Sequence, residues 1–349
     1  MDKTRTLGSV FRHGLCGLWL LSFIGSSGCD TPRGVEYLGK RLPVVDMHLH
    51  PGEWEGIPDD TKKVIGSRFP FPFGLTAKQT AGGILSAEGI LAEMDKGGVT
   101  QSVLYAVYAP RTVGITTNEW VLADTQKAPE RLFGLASLRV DMFQIDRDAE
   151  LARLRSALSH PSMIGIKLAH AHQHFRMDDP LYFGIYQLAA ELKKPVYLHT
   201  GSSPFPGTSS EPPYTDPTYL EEAIKRYPGA SFILGHLGYD FIDKKLGALD
   251  ACIRLAKAYP NVYLEPSALG SRGSDPTGEN LRQAMARMRE AGLVDRIIYG
   301  SDGPQSPGFV RDYLYRTVSA LLATGYTVDE AQAVLAGNFA RVFNVPALK

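Results

Sequence analysis

Short β-rich runs alternate with amphipathic stretches from residue 42 almost to the end of the chain. The runs are "LPVVDMHLH" (42–50), "VTQSVLYAV" (99–107), "RLFGLASLR" (131–139), "MIGIKLAH" (163–170), "PVYLHTG" (195–201), "SFILGHLG" (231–238), "NVYLEPSAL" (261–269) and "RIIYGSDGP" (296–304). Between them, stretches such as "DAELARLRSALS", "YFGIYQLAAELKK" and "ENLRQAMARMREAG" carry apolar residues every three or four positions, the helical period. Strands alternating with helices predict a parallel sheet. Eight such units over roughly 260 residues match an α/β fold of the (β/α)8 TIM-barrel type. A doubly wound open sheet seldom needs eight regular units, and no "GxGxxG" follows the first run.

The pattern predicts one main domain, residues 42–349, preceded by a short tether at 29–41. "TVDEAQAVLAGNFARVF" (327–343) reads as an extra helix after the eighth unit. Thr327 is its N-cap, and Glu330 completes a capping box. Two stretches that follow strands, 51–83 and 201–217, are rich in Pro, Gly and aromatic residues and read as long loops. Both belong to the face where barrel enzymes place their sites, and loops of that length are more often functional than idle.

Composition changes this picture little. The chain is 44% hydrophobic and 21% charged with formal net charge zero, an ordinary globular balance. No basic excess points to nucleic acid and no acidic tail points to disorder.

The N-terminus does change it. Lys3, Arg5 and Arg12 precede the apolar run "GLCGLWLLSFIG" and the small residues "SSGCD". That run is too short to span a bilayer, which takes about 20 residues. Residues 1–28 therefore read as a secretion signal peptide, with a retained anchor helix as the plainer alternative. Of the three cysteines, Cys16 lies inside the signal and Cys29 stands where cleavage is expected. Cys29 resembles the acylated cysteine of bacterial lipoproteins, although Ser26 stands where that motif usually has an apolar residue. Cys252, in "LDACIRLAKAY", reads as a buried helix residue. The expectation is an exported protein, membrane-anchored through lipid on Cys29 or periplasmic.

The candidate chemistry stands at the strand ends. His48 and His50 are two apart on a strand, so their side chains share a face. Two such imidazoles can ligate one cation or simply hydrogen-bond within the strand. His199 ends the fifth run, His236 the sixth and Asp302 the eighth. Four of the chain's nine histidines thus stand where parallel strands converge on one mouth, and polar groups gathered there read as catalytic.

"DMHLH", "YLHTG", "LGHLG" and "YGSDGP" together resemble the motif series of the amidohydrolase superfamily, in its amidohydrolase-related branch. "GIKL", "AAELKKPVYLHTG" and "VLAGNFARVF" extend the likeness across about residues 42–345. The resemblance implies a distorted (β/α)8 barrel and one divalent metal ion, most often zinc. Carried over by position, it implies that His48, His50, His199 and Asp302 bind the metal. His236 sits nearby and orients or protonates the substrate. Members include hydrolases, lactonases and non-oxidative decarboxylases acting on small carboxylated or aromatic molecules.

Elementary chemistry supports these roles. A cation held by three His and one carboxylate leaves room for water and lowers its pKa toward about 7. Asp302 can accept that water's proton, and His236 can polarise a carbonyl. Asp46 is expected on the opposite strand face, giving hydrogen-bond support. Lys167 in "IGIKLAH" is either a charged site residue or, as the resemblance to binuclear relatives implies, a carboxylated bridge between two metals. His170, His172 and His174 alternate in "HAHQH" and share a face if extended; His170 is a candidate substrate contact. Arg111, Arg139 and Arg272 follow strands and are candidate carboxylate clamps, though surface ion pairing is the commoner fate of an arginine. Trp54, Phe69, Phe71, Phe73 and Phe205 can supply an apolar wall.

The expected function is metal-dependent hydrolysis of a C–O or C–N bond, in a lactone, ester or amide. The alternative is non-oxidative decarboxylation of an aromatic or unsaturated acid. A non-catalytic barrel lipoprotein is a third reading. The ligands alone do not separate the first two, and oligomeric state is not legible.

Overall fold

The computed structural model describes residues 33–68 and 76–348. The signal peptide, Cys29 and Phe69, Phe71 and Phe73 lie outside the described residues.

Seven strands form one parallel sheet in sequence order: β1 (Val45–Leu49), β2 (Gln101–Tyr105), β3 (Leu132–Ala136), β4 (Met163–Leu168), β5 (Val196–His199), β6 (Phe232–Gly235) and β7 (Val262–Glu265). The eighth run makes no full ladder. It closes the barrel through single bridges, Ile297 to Leu264 on β7 and Gly303 to Leu49 on β1. Backbone bonds from Ile298 N to Leu264 O (2.9 Å) and from Met47 N to Tyr299 O (3.1 Å) complete the seam. The fold is therefore the expected (β/α)8 barrel.

Two apolar layers hold it. Val103, Tyr105, Leu135, Tyr197, Ile233 and Ile298 fill the barrel interior, while Leu104, Leu168, Leu198, Leu234 and Leu264 face the helices. Parallel strands covered on both faces bury every position, as β1 does. The helices supply one apolar stripe each. Glu279–Glu290 buries Leu281, Ala284, Met285 and Met288, spaced as one helical face requires. The Asp275 carboxylate accepts from Glu279 N and Leu281 N, both at 3.1 Å, and satisfies that helix's first free donors. Cys252 is buried in the helix Leu249–Ala258, as expected.

The C-terminal segment closes the end of the barrel opposite the strand ends that carry His199 and Asp302. The capping box of Thr327 and Glu330 starts the helix Val328–Gln332, and a π-turn (Ala333–Gly337) joins it to the helix Asn338–Phe343. Ala336, Phe339 and Phe343 enter the interior core.

Two sequence expectations are corrected and one element is added. The tether includes a hairpin, Val35–Tyr37 with Lys40–Leu42, that buries Val35 and Tyr37; the Tyr37 hydroxyl donates to Tyr326 O at 2.6 Å. The stretch 51–83 is largely helical, with Asp59–Arg68 and Ala77–Leu85 flanking the undescribed part. Its polar, Gly-containing sequence masked the period, yet Thr76 and Gln79 form a capping box. A further hairpin, Val107–Ala109 with Gly114–Thr116, follows β2. Among the described residues no helix is long and apolar enough to cross a membrane.

Candidate metal centre

The centre begins with an irregularity in β1. Strict alternation would align Asp46 with His48 and His50. The pairing with β2 instead shifts register between Asp46 and Leu49, so Met47 joins the interior core and His48 also turns inward. Asp46 lies behind because of this slip, not through the strand alternation that the expected opposite face assumed. Its Oδ1 accepts from His48 N (3.1 Å) and Ser301 N (2.8 Å), tying β1 to the eighth segment. Burial pushes the Asp46 carboxyl up to about 7, against the lowering by Ser301.

The same seam sets Asp302. Its N–H and that of Gly303 donate to His48 O at 3.0 and 3.2 Å, and His50 N donates to Gly303 O at 2.7 Å. Asp302 holds a φ of 67°. His236, Leu237 and Ala268, just beyond β6 and β7, also have positive φ, at 61°, 54° and 58°. Each costs about 1 kcal/mol or more, and all four cluster at the barrel mouth.

Three donor atoms meet there. His48 Nε2 lies 3.0 Å from His50 Nε2, and Asp302 Oδ1 lies 3.1 Å from each. Tetrahedral bonds of about 2.0–2.1 Å to one ion would space ligand atoms about 3.3 Å apart. The triangle is thus close to a coordination face.

Protonation agrees. His48 Nδ1 faces Ser267 Oγ (3.0 Å), Tyr197 Oη (3.1 Å) and Glu265 Oε1 (3.2 Å). A proton on Nδ1 given to the Glu265 carboxylate leaves the Nε2 lone pair aimed into the triangle. Burial, the leading cause, holds His48 and His199 well below the usual imidazole range, hence neutral. Burial alone would raise the Asp302 carboxyl, but His48 and then His50 outweigh it and hold it below the carboxylate range.

His199 completes the surroundings rather than the triangle. The group of potential ligands that lie within 4.8 Å of one another among the described residues is His48, His50 and Asp302. The His199 ring lies 4.5 Å from that of His236 and 5.0 Å from that of His172. Its Nε2 is buried with no hydrogen-bond partner, a state that costs about 1–3 kcal/mol unless a ligand is bound. An orphaned imidazole beside a pre-oriented His–His–carboxylate triangle fits a divalent cation.

His236 is fixed for other work. Its Nδ1 donates to Ser267 O at 3.1 Å, and its Nε2 lies 3.3 Å from Tyr197 Oη. Two glycines make room for this network. A Cβ on Gly300 would lie 2.1 Å from Glu265 Oε1, and one on Gly235 would lie 1.9 Å from Tyr197 Oη.

The remaining candidates fall in different places. Lys167 is buried on β4, with Nζ 4.2 Å from the Tyr197 ring centre and 4.9 Å from that of Tyr105. "HAHQH" is a short helix, His170–Gln173, ending at His174 with φ 58°. It is not an extended segment, so its three histidines do not share a face. His170 packs on Phe175 and meets Tyr186 Oη at 3.4 Å, whereas His172 bonds Thr112 Oγ1 (3.2 Å) and stands beside His199. Arg139 is held by Glu150 at 2.9 Å, and Arg272 by Asp312 at 2.5 Å. Arg111 is exposed in the turn after β2. Phe205 lies 6.3 Å from His172.

Sequence reasoning missed Tyr197, Glu265, Ser267 and Tyr105, and it singled out His172 only within "HAHQH". Strand parity was the available signal: Tyr197 is two residues before His199, and Glu265 closes β7 as His199 closes β5.

The barrel and its histidine–carboxylate centre define a metal-binding enzyme of the (β/α)8 class. The chain belongs to the amidohydrolase family (Amidohydro_2: Amidohydrolase), whose model matches residues 45–345, and so to the metal-dependent enzymes of the amidohydrolase superfamily. No curated protein matches it in sequence. Similar solved structures include an uncharacterized TIM-barrel protein from Bordetella bronchiseptica, 20% identical, TM-score 0.65, covering 87% of this chain and 99% of that one. A probable 2-pyrone-4,6-dicarboxylic acid hydrolase from Acinetobacter baumannii, with citric acid bound, is 18% identical, TM-score 0.58, covering 87% and 100%. A 5-carboxyvanillate decarboxylase from Novosphingobium aromaticivorans, complexed with manganese and 4-hydroxy-3-methoxy-5-nitrobenzoic acid, is 16% identical, TM-score 0.60, covering 90% and 99%.

Proposed function

We propose that this protein hydrolyses a C–O or C–N bond of a small organic substrate, with one divalent ion, zinc by preference, held by His48, His50, His199 and Asp302. The observation that carries the reading is Asp302. Its Oδ1 stands 3.1 Å from two imidazole nitrogens, and among the described residues its Oδ2 accepts from Gln305 Nε2 at 2.9 Å. Hydrolysis needs a base at that position. The bound cation supplies Lewis acidity, which makes water a nucleophile near neutral pH. Asp302 takes the proton from the attacking water and passes it to the leaving group. His236, locked through Ser267, presents Nε2 to the substrate carbonyl and supports the charge that develops there.

Decarboxylation is the second reading, favoured by the similarity to a 5-carboxyvanillate decarboxylase. Product mass separates the two. Purified protein is incubated with lactones, esters, amides and aromatic acids; a gain of about 18 mass units means hydrolysis, a loss of about 44 decarboxylation. Only the loss overturns the proposal.

We also propose export, with cleavage before Cys29 and acylation of its thiol. The support is the charged start, the apolar run and "SSGCD". Intact-mass measurement of the membrane fraction tests it; an unmodified Cys29 in a soluble mature form rejects it.

A further inference from the structure

The strands of the barrel all start at the end opposite the metal centre, and the helices that precede them end there. A helix C-terminus favours a cation in its last turn, so a barrel gathers such cations on one face. Lys193 follows the helix Phe183–Leu192 before β5, Lys225 and Arg226 end the helix Glu221–Arg226 before β6, and Lys257 stands in the last turn of Leu249–Ala258 before β7. The N-terminal hairpin brings Lys40 to the same end. There Gly34 N donates to Gly98 O (2.6 Å) and Thr100 N to Val44 O (2.8 Å), just ahead of β1 and β2.

All five cations are exposed, and none forms an ion pair among the described residues. Most acids of this end are already spent. Glu36 pairs with Arg41, Glu191 with Arg155, Asp295 with Arg296 and Glu330 with Arg289, which leaves Glu130 and Glu290 against the free cations. The excess is positive, whereas exposed acids such as Glu53, Asp141 and Glu211 stand beyond the strand ends, around the mouth.

The hairpin tip adds an apolar residue to the basic face. Leu38 is 63% exposed and holds a φ of 48°, a conformation that costs about 1 kcal/mol or more. Neither the exposure nor the strain is repaid within the chain. Cations that meet phosphates, with an apolar side chain that enters the headgroup boundary, suit an anionic bilayer.

We propose that this end of the barrel docks on an anionic phospholipid bilayer, with Leu38 at the interface and the metal centre turned away into water. The inference rests on the acylation proposed for Cys29 for its anchor alone. Cys29 is four positions before Arg33, a span of at most about 14 Å, so the lipid is attached close to the hairpin. What it adds is which end of the molecule meets the membrane, and that substrate reaches the centre from solution.

The test is lysine footprinting of the full chain on vesicles of phosphatidylcholine alone or mixed with phosphatidylglycerol, with acetylation of each lysine read by peptide mass. On the mixed vesicles Lys40, Lys193, Lys225 and Lys257 should react at least about fivefold more slowly than on phosphatidylcholine, the effect of one cation held at an anionic surface. Lys63 and Lys245, exposed at the mouth end, should react alike on both. Salt at about 1 M, where the screening length falls to about 3 Å, should remove the difference. Lys225→Glu/Arg226→Glu should remove it at Lys193 and Lys257, with an unchanged unfolding midpoint as the control for folding. Equal reactivity on the two kinds of vesicle overturns the surface. So does equal slowing of Lys63 and Lys245, which would turn the mouth to the membrane, and so does slowing that survives the double variant. Acylation is read separately as intact mass. A chain without it fails the anchor reading, while the footprint on mixed vesicles still decides the surface.

Discussion

His236 and His48 are both buried imidazoles at strand ends, yet their hydrogen bonds assign them different work. His48 gives Nδ1 to Glu265 and Nε2 to the triangle. His236 gives Nδ1 to Ser267 and has no place in the triangle. His236→Ala should therefore keep its metal and lose about 100- to 10,000-fold in turnover. His48→Ala should lose metal and activity together. Turnover measured beside elemental analysis decides; loss of metal from His236→Ala would make His236 a ligand. Gly300 offers a test of the packing beneath them. Its missing Cβ is the space occupied by Glu265 Oε1 and approached by His48 Cβ at 2.9 Å. Gly300→Ala should cost about 1–3 kcal/mol by overpacking and weaken metal binding. Thermal unfolding and metal titration check both, and a variant of wild-type stability would show that Glu265 moves freely.

The alternating pattern made His48, His50, His199 and Asp302 legible, because strand ends in a parallel barrel share a mouth. Tyr197 and Glu265 stayed hidden because a tyrosine or glutamate inside a β-rich run looks like ordinary strand composition. The β1 bulge was invisible as well. Nothing in "VVDMHL" marks where the pairing slips.

Among the elements, strands read better than the segments between them. Seven runs became ladders and the eighth closed the ring by bridges. The helical parts of 51–83 and the two short hairpins were missed, since local capping and turns outweighed periodicity there. The capping box at Thr327 was legible because its side chains act locally. Thr327→Ala should cost about 1 kcal/mol, read as a lowered unfolding midpoint; no shift would show that packing of Phe339 and Phe343 alone holds the segment. A second element test lies at Glu150, which bonds Arg139 and Arg153. Burial alone would raise its carboxyl, but Arg153 and Arg139 together bring it down to about 2 from 4.5. A depressed carboxyl contributes its full stability above pH about 4.5 and loses it as pH falls toward 2. Wild type should thus lose stability relative to Glu150→Gln across that window. Parallel unfolding curves for the two proteins would contradict the pairing.

For the molecule as a whole, barrel and centre depend on one another. Asp46, Asp302 and Gly303 close the ring through the same bonds that set the ligands. Binding a cation to the folded state alone must raise stability by mass action, so chelation should lower the unfolding midpoint and re-addition restore it. The most direct measurement is the metal-to-protein ratio of wild type and His199→Ala, purified without chelator, with activity followed in parallel. About one divalent ion per chain in wild type, lost together with activity in His199→Ala, is the result expected here. A metal-free wild type that stays fully active in chelator would contradict it.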